Sequence, residues 1–478
     1  MNLNNSWYAG SSVSIKVGIV GACIGLILGI LAGLQPLLLC LAIAAVILLI
    51  CFFTYFEQTV LGLLILRSSL DIFSAQQVPA AFAIGLDGLT ILYVVVSMLL
   101  KRKIYTDKLW WFLIAWLACQ GLWVIFLPIG GLGRGSEQLI NAIEVWMKSF
   151  SWLMVYLLIM QLKSLMHPKE IINWLYISLI APLSVAFIQI VLPPSVLPSL
   201  LVFSATAIEA GSRINGTMGH PNSLASFMAL FIGLSLWKSH RVQKLLPWWI
   251  LIVLLVFVLS TTKSMGGLII LTVFTIVFFI PRLNWQNLVG LATILALVTT
   301  FFMTSEIGQE RLASLYDTPL FNPDLDLSTT LLLARGDGNS LNWRIAQWTY
   351  LLDSWKEFPI IGYGLGTTKS VSVFENYAHN DYLTALVEQG VIGLLLFLAF
   401  IGAQFTHLVH IVYRPFPKTT YSQRFFCFIL IALLAALSVA MFAANILSQT
   451  TLFFYWFTLM AIADWDWSER APLEHESL

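Results

Sequence analysis

The sequence predicts an all-α protein: a polytopic bundle of about 12–14 transmembrane helices carrying one long loop with an amphipathic helix in it. Three observations lead there. Only 10% of the 478 residues are charged, while 59% are hydrophobic and the mean hydropathy is +0.86; a soluble domain carries roughly 25% charged residues. Apolar runs near the length of a bilayer crossing recur along the chain. Between 304 and 383 that recurrence stops for about 80 residues, far beyond an ordinary connection.

By the criterion of about 20 mostly apolar residues per span, the runs are 17–34, 36–55, 57–73, 82–100, 109–127, 141–162, 171–193, 220–237, 246–262, 264–281, 285–303, 384–406, 424–445 and 449–463. The first follows a single Lys16 and lacks a small-residue cleavage site, which points to a retained span rather than a removed signal. The expected organisation is helices over 1–303, the loop over 304–383, further helices over 384–463 and a tail over 464–478.

Basic residues in short connections set the expected orientation. Lys101, Arg102, Lys103 and Lys108, then Lys163 and Lys169, then Lys238, Arg241 and Lys244, then Arg282, and finally Arg414, Lys418 and Arg424 fall in alternate loops. Those loops define the cytoplasmic side, and both termini join them. The opposite loops are poor in charge except for Arg67, Arg134, Arg213 and Lys263. The long loop shares their side. Within it, Leu341, Ile345, Trp348, Leu352 and Trp355 recur at helical spacing after Ser340, a good helix-capping residue. Such a stripe lies on the membrane surface or against the bundle.

Several function classes drop out. A net charge of +1 gives no field for nucleic acid. Cys23, Cys40, Cys51, Cys119 and Cys427 all sit in apolar runs at spacings suited to neither a metal site nor a disulfide framework. Asp324-Leu325-Asp326 and Asp464-Trp465-Asp466 have the acid-x-acid spacing of metal-dependent sugar transferases, but chance accounts for both, and no metal or other cofactor is expected. Gly362-Tyr363-Gly364-Leu365-Gly366 has no preceding strand, so it reads as a close-packed turn rather than a nucleotide fingerprint. Glu144 and Lys148, one turn apart, read as a structural ion pair or as cavity lining.

What remains is a set of polar residues on one face. Arg213 opens Arg213-Ile214-Asn215-Gly216-Thr217-Met218-Gly219-His220-Pro221-Asn222; Lys263 sits in a tight turn, Ser260-Thr261-Thr262-Lys263-Ser264-Met265-Gly266-Gly267; Arg344 lies on the amphipathic stretch; Arg67 precedes Asp71. Each alone is an ordinary interfacial cation. Together they suit an anion such as a diphosphate, with Arg as a planar fork and Lys as a point charge. His379, in His379-Asn380-Asp381-Tyr382, opens a span, where a helix N-terminal field disfavours its cation and leaves a neutral base. Glu388, two turns along, stands where it orients His379 or simply favours the helix start.

These motifs resemble a known family. Arg-x-x-Gly-x-x-x-His-Pro-Asn from 213, a small-residue turn with one cation, Asn-x-Arg-x-x-x-Trp from 342, Pro-x-x-Gly-x-Gly-x-Gly from 359 and His-Asn-x-x-Leu-x-x-x-x-Glu-x-Gly from 379 are similar to those of the O-antigen ligase/O-antigen polymerase superfamily. The resemblance covers about 205–395 and implies an inverting glycosyltransferase of the bacterial inner membrane, acting on its periplasmic face without a metal. Its donor would be a polyprenyl-diphosphate-linked glycan, and its acceptor a sugar hydroxyl on a lipid-linked repeat or a lipid-A core. It implies that Arg213 and Lys263 hold the diphosphate and that His379 activates the hydroxyl, and Arg344 matches a family arginine to which it assigns no role; Arg344, Arg67, Asn222, Asn380 and Glu388 stand as further candidates for binding substrate. The family turn usually reads Ser-Arg-Gly; here it is Thr262-Lys263-Ser264, which keeps the charge and loses the fork. The alternative is a carrier of a small anion such as bicarbonate, which calls for broken or polar helices at mid-membrane.

Overall fold

The computed structural model describes residues 36–129, 136–203, 213–240, 243–282, 340–416 and 418–468, with isolated positions between 284 and 309. The run at 17–34, the stretch 310–339 and Asp324-Leu325-Asp326 lie outside the described residues. The chain clusters into two units, 1–60 and 61–478. Helix α1 (Pro36–Thr54) belongs to the first, and α2 (Phe56–Arg67) runs across the division.

In the second unit follow α3 (Val78–Leu99), α4 (Lys108–Ile129), α5 (Ser136–Met160), α6 (Pro168–Leu175), α7 (Ile180–Val191), α8 (Pro221–Ser239), α9 (Leu246–Thr261) and α10 (Met265–Phe279). After the long loop come α11 (Ser340–Trp355), the short α12 (Thr368–Val371), α13 (Asp381–Tyr413), α14 (Tyr421–Ala440) and α15 (Thr450–Ala463). No strand occurs among the described residues. Six helical stretches among the described residues are long and apolar enough to cross a membrane: Val78–Leu99, Lys108–Ile125, Gln138–Met160, Pro168–Val191, Asp381–Tyr413 and Tyr421–Ala440. Ala42–Thr54, Leu246–Thr261, Met265–Phe279 and Thr450–Ala463 are shorter apolar helices. The protein is a multi-pass membrane helical bundle.

Helices α8 and α15 form its centre, buried on nearly every side. Phe227 and Phe231 of α8 meet Tyr455 of α15 at 5.0 and 6.1 Å, and the Tyr455 hydroxyl donates to the Leu64 carbonyl at 2.6 Å. Around them, α15 packs on α5, α8 on α9 and α10, and α14 on α10 and α13. Peripheral helices leave one apolar face open; Ile84, Ile91 and Val95 of α3 are exposed, as lipid-facing residues must be.

Two of the long apolar runs are not single helices. The run 57–73 stops being α-helical at Arg67 and turns into a 3-10 segment, Asp71–Gln76, with Arg67 paired to Asp71 at 2.6 Å. The run 171–193 spans α6, a 3-10 turn at Tyr176–Leu179 and α7. Pro182 has no N–H to give the Ser178 carbonyl; that carbonyl accepts instead from the Ser68 hydroxyl at 2.8 Å. Asp464 pairs with Arg414 at 2.6 Å and Asp466 accepts from the Ser468 N–H at 2.9 Å, so this acid-x-acid pair serves local structure.

A break in α13 shapes the site. At Gly390 the backbone leaves the helix (φ 65°, ψ −163°) and then resumes. The groups so released are taken up by the glycine-rich segment before it. Tyr363 N–H donates to Val387 O at 3.0 Å and Gly364 N–H to Glu388 O at 2.7 Å; Val391 N–H reaches Pro359 O at 2.9 Å and Ile392 N–H reaches Ile360 O at 3.3 Å. A Cβ on Gly362 would lie 2.4 Å from Gln389 N, and one on Gly390 2.2 Å from Ile360 C. Only glycines permit this approach.

Candidate active site

Three stretches far apart in sequence supply the site. The first two are hydrogen-bonded together. Arg213 Nε donates to Thr262 O at 3.1 Å and its Nη2 to Asn222 Oδ1 at 3.1 Å; Ser264 Oγ donates to the same Asn222 oxygen at 2.8 Å. The guanidinium is therefore pinned against the turn that carries Lys263. Ser264 caps α10 by accepting from Gly267 N–H at 3.1 Å, while His220 caps α8, its Nδ1 accepting from Asn222 N–H at 3.0 Å. Lys263 itself is exposed, between buried Thr262 and Ser264, with a left-handed backbone (φ 53°).

The third stretch is 376–381, held by α11. Gln347 Nε2 donates to Asn376 O at 3.0 Å and Trp348 Nε1 to Ala378 O at 2.7 Å. The Trp343 ring meets the His379 ring edge-on at 5.4 Å. His379 also has a left-handed backbone (φ 52°), a conformation that costs an L-residue energy and recurs at functional sites. Asn380 caps α13, its side chain accepting from Leu383 N–H at 3.0 Å.

Electrostatics joins the stretches. Burial, then the charge of Arg344, lowers His379 from the usual imidazole value to about 4. His220 is lowered to about 4 by burial, then by Arg213 and by His379 itself. The two histidines thus lie within electrostatic reach of one another, in a charged basin to which Arg213 and Arg344 contribute. Burial and the charge of Arg344 both disfavour the His379 cation, the same direction that the sequence ascribed to the helix field.

Two residues occupy other posts than the sequence allowed for. Arg67 is 2% exposed, paired to Asp71, whose second oxygen accepts from Thr451 Oγ1 at 2.5 Å. Glu388 accepts from Gly366 N–H at 2.8 Å and from Thr368 N–H and Oγ1 at 3.1 and 2.6 Å. Its carboxylate fastens the glycine-rich turn. Asp381 was missed: it is buried, with Oδ2 accepting from Ile446 and Leu447 N–H at 2.8 and 3.2 Å, so it ties the start of α13 to the loop before α15. An acid in a first helical turn has an ordinary explanation, and nothing in the sequence marks its distant partners.

Residues 250–398 match the family model described as O-antigen ligase. Over that stretch the chain is similar to the O-antigen ligase family. The match takes in Lys263, Arg344, His379, Asn380 and Glu388, while Arg213 and Asn222 reach the same site from outside it. A comparison with curated proteins gives no match. The match supports an O-antigen ligase-like glycosyl-transferring activity at family level.

Proposed function

We propose that the protein moves a glycan from a polyprenyl-diphosphate donor to a sugar hydroxyl at the periplasmic face of the inner membrane. The observation that carries this reading is the shared basin: a neutral histidine beside Arg344, electrostatically in touch with a second histidine and an arginine fixed to the Lys263 turn. The acceptor oxygen attacks the anomeric carbon as its proton passes to His379. The bond from that carbon to the diphosphate oxygen breaks, and the diphosphate leaves with the electron pair. Arg213, Lys263 and Arg344 stabilise the charge growing there, the work that a preformed cation site does best. Asn222 steadies Arg213, and Asn380 and Glu388 build the frame around His379. Attack opposite the leaving group inverts the anomeric centre.

The broken helix speaks for the carrier alternative, since carriers use such breaks to coordinate ions with backbone carbonyls. Here the Val387 and Glu388 carbonyls are already taken by Tyr363 and Gly364. Incubating the purified protein with a polyprenyl-diphosphate glycan and candidate acceptors tests the reading. A ladder of products identifies a polymerase and one shifted band a ligase, while release of no product refutes transfer.

Two expected results belong here. Lys263→Ala weakens binding of a polyprenyl diphosphate about 10- to 100-fold, the worth of a charge-assisted hydrogen bond. Lys263→Arg stays within a few-fold, because both residues pay the same left-handed backbone cost; equilibrium binding in nanodiscs checks both, and an inactive Arg variant would show that this turn has diverged from the family geometry. For orientation, Lys356, exposed just beyond α11, is replaced by Cys in a chain lacking its native cysteines. An impermeant thiol reagent should label it in intact spheroplasts; labelling only after lysis removes the periplasmic assignment.

A further inference from the structure

Two cavities meet at the Glu144–Lys148 ion pair of α5. Both are lined by these two residues and by Ser448. The larger, about 630 Å³, passes Arg67 and Asp71 and reaches Met218, Gly219 and Ser223, the backbone that brackets His220 and Asn222. The smaller, about 420 Å³, is reached by Tyr377 and Asp381, which bracket His379, by Gly366 of the glycine-rich turn and by Lys369 of α12. Its volume falls in the roughly 300–1,000 Å³ range of small-ligand pockets.

The lining of the smaller cavity has a definite chemistry. Trp116, Trp146 and Trp152 give it broad aromatic walls. Trp116 is stacked on Phe400 at 4.4 Å and Trp152 on Phe453 at 4.3 Å, so these rings are rigid. The indole N–H groups of Trp116 and Trp152 are buried with no hydrogen-bond partner among the described residues. Set among the rings are the amides of Gln120 and Asn141 and the carboxylate of Glu144. Tyr377 is on the same lining, and burial, then the charges of Glu144 and Glu388, raise its hydroxyl above the ordinary value. Apolar faces alternating with paired donors and acceptors match a sugar ring, whose C–H faces lie on aromatic rings and whose hydroxyls both give and accept hydrogen bonds. A lipid tail has no use for the amides. Of its two cations, Lys148 is matched by Glu144 at 3.5 Å and only Lys369 is left for a phosphate group, without an arginine fork beside it.

We infer that the smaller cavity is the acceptor-saccharide site, and that Asn141 and Tyr377 select which sugar hydroxyl is presented to His379. This rests on the reading of His379 as the base. The donor is excluded from this cavity by position: Arg213 and Lys263 contribute nothing to it, whereas both flanks of His379 do.

Saturation-transfer NMR tests the assignment, using the full chain in lipid nanodiscs and a panel of methyl glycosides of hexoses, N-acetylhexosamines, heptoses and uronic acids. At least one glycoside should receive saturation on its ring protons, and Asn141→Leu and Tyr377→Ala should each cut that signal about fivefold. Both side chains are exposed in the cavity, so thermal melting of the variants should match the parent. His379→Gln should keep the glycoside signal while losing transfer. Added undecaprenyl diphosphate should leave the signal in place. No signal from any glycoside, a signal indifferent to both variants, or displacement by the diphosphate lipid would each overturn the inference. A glycoside signal that depends on Asn141 in a protein without transfer activity would instead keep the sugar site and reject the proposed reaction.

Discussion

His379→Ala is expected to leave binding of a polyprenyl diphosphate nearly intact and to lower transfer by on the order of 10²–10⁴-fold, the usual worth of a positioned general base. His379→Gln should match Ala, because an amide donates a hydrogen bond but does not take a proton near neutral pH. The pH profile gives a separate reading. The active form is the neutral imidazole, and acidification protonates it, so the rate falls as pH drops through the value for His379. With that value near 4 in the ligand-free protein, kcat/KM should hold from pH 7 to about pH 5 and fall only below. An ordinary exposed histidine would already fail near pH 6.5. A bound diphosphate adds negative charge to the basin and raises the imidazole toward the working pH, where a base is most effective. The acidic limb of kcat should therefore lie above that of kcat/KM. Near-normal transfer by the Gln variant would reduce His379 to an orienting role and make His220, in the same basin, the next residue to test.

Gly390→Ala is expected to destabilise the protein by about 2–5 kcal/mol, adding the cost of a left-handed L-residue to that of an overpacked contact. The added methyl would sit 2.2 Å from Ile360 C and O, backbone that cannot step aside without undoing the bonds from Val391 and Ile392. Gly402 lies on the same helix with nothing within 4 Å of an added Cβ; Gly402→Ala is the control and should be neutral or mildly stabilising. Melting of the two purified variants in one detergent decides the matter. Equal midpoints would mean that the break in α13 is not the fastening described above.

The helices were legible wherever hydropathy alone determines them. The runs at 82–100, 264–281 and 449–463 correspond to Val78–Leu99, Met265–Phe279 and Thr450–Ala463. The interruptions were not. Apolar character continues through Pro182 and Gly390, and what makes each interruption tolerable is a partner remote in sequence or outside the run: the Ser68 hydroxyl for one, residues 359–364 for the other. The polar residues of the site were legible as chemical types, because a cation or histidine stands out in so apolar a chain. Their attachments were not. Nothing in the sequence says that Arg213 reaches Thr262 O, that Glu388 holds Gly366 and Thr368, or that Asp381 holds residues 446 and 447. Those contacts follow from how the helices pack, and a sequence pattern records only which residues are available to make them.

The break at Gly390 also bears on how the chain is made. Residues 359–364, which satisfy the exposed backbone of the break, are synthesised before residues 387–392 that need them. When α13 partitions into the bilayer, the segment that completes it has therefore already left the ribosome, and the unpaired carbonyls of Val387 and Glu388 need not wait in hydrocarbon for a later segment, where each would cost several kcal/mol. In the reverse order, with the glycine-rich segment downstream of α13, the helix would have to enter the membrane with its defect open. The chain direction thus makes the partners of the irregular helix available by the time it enters the membrane.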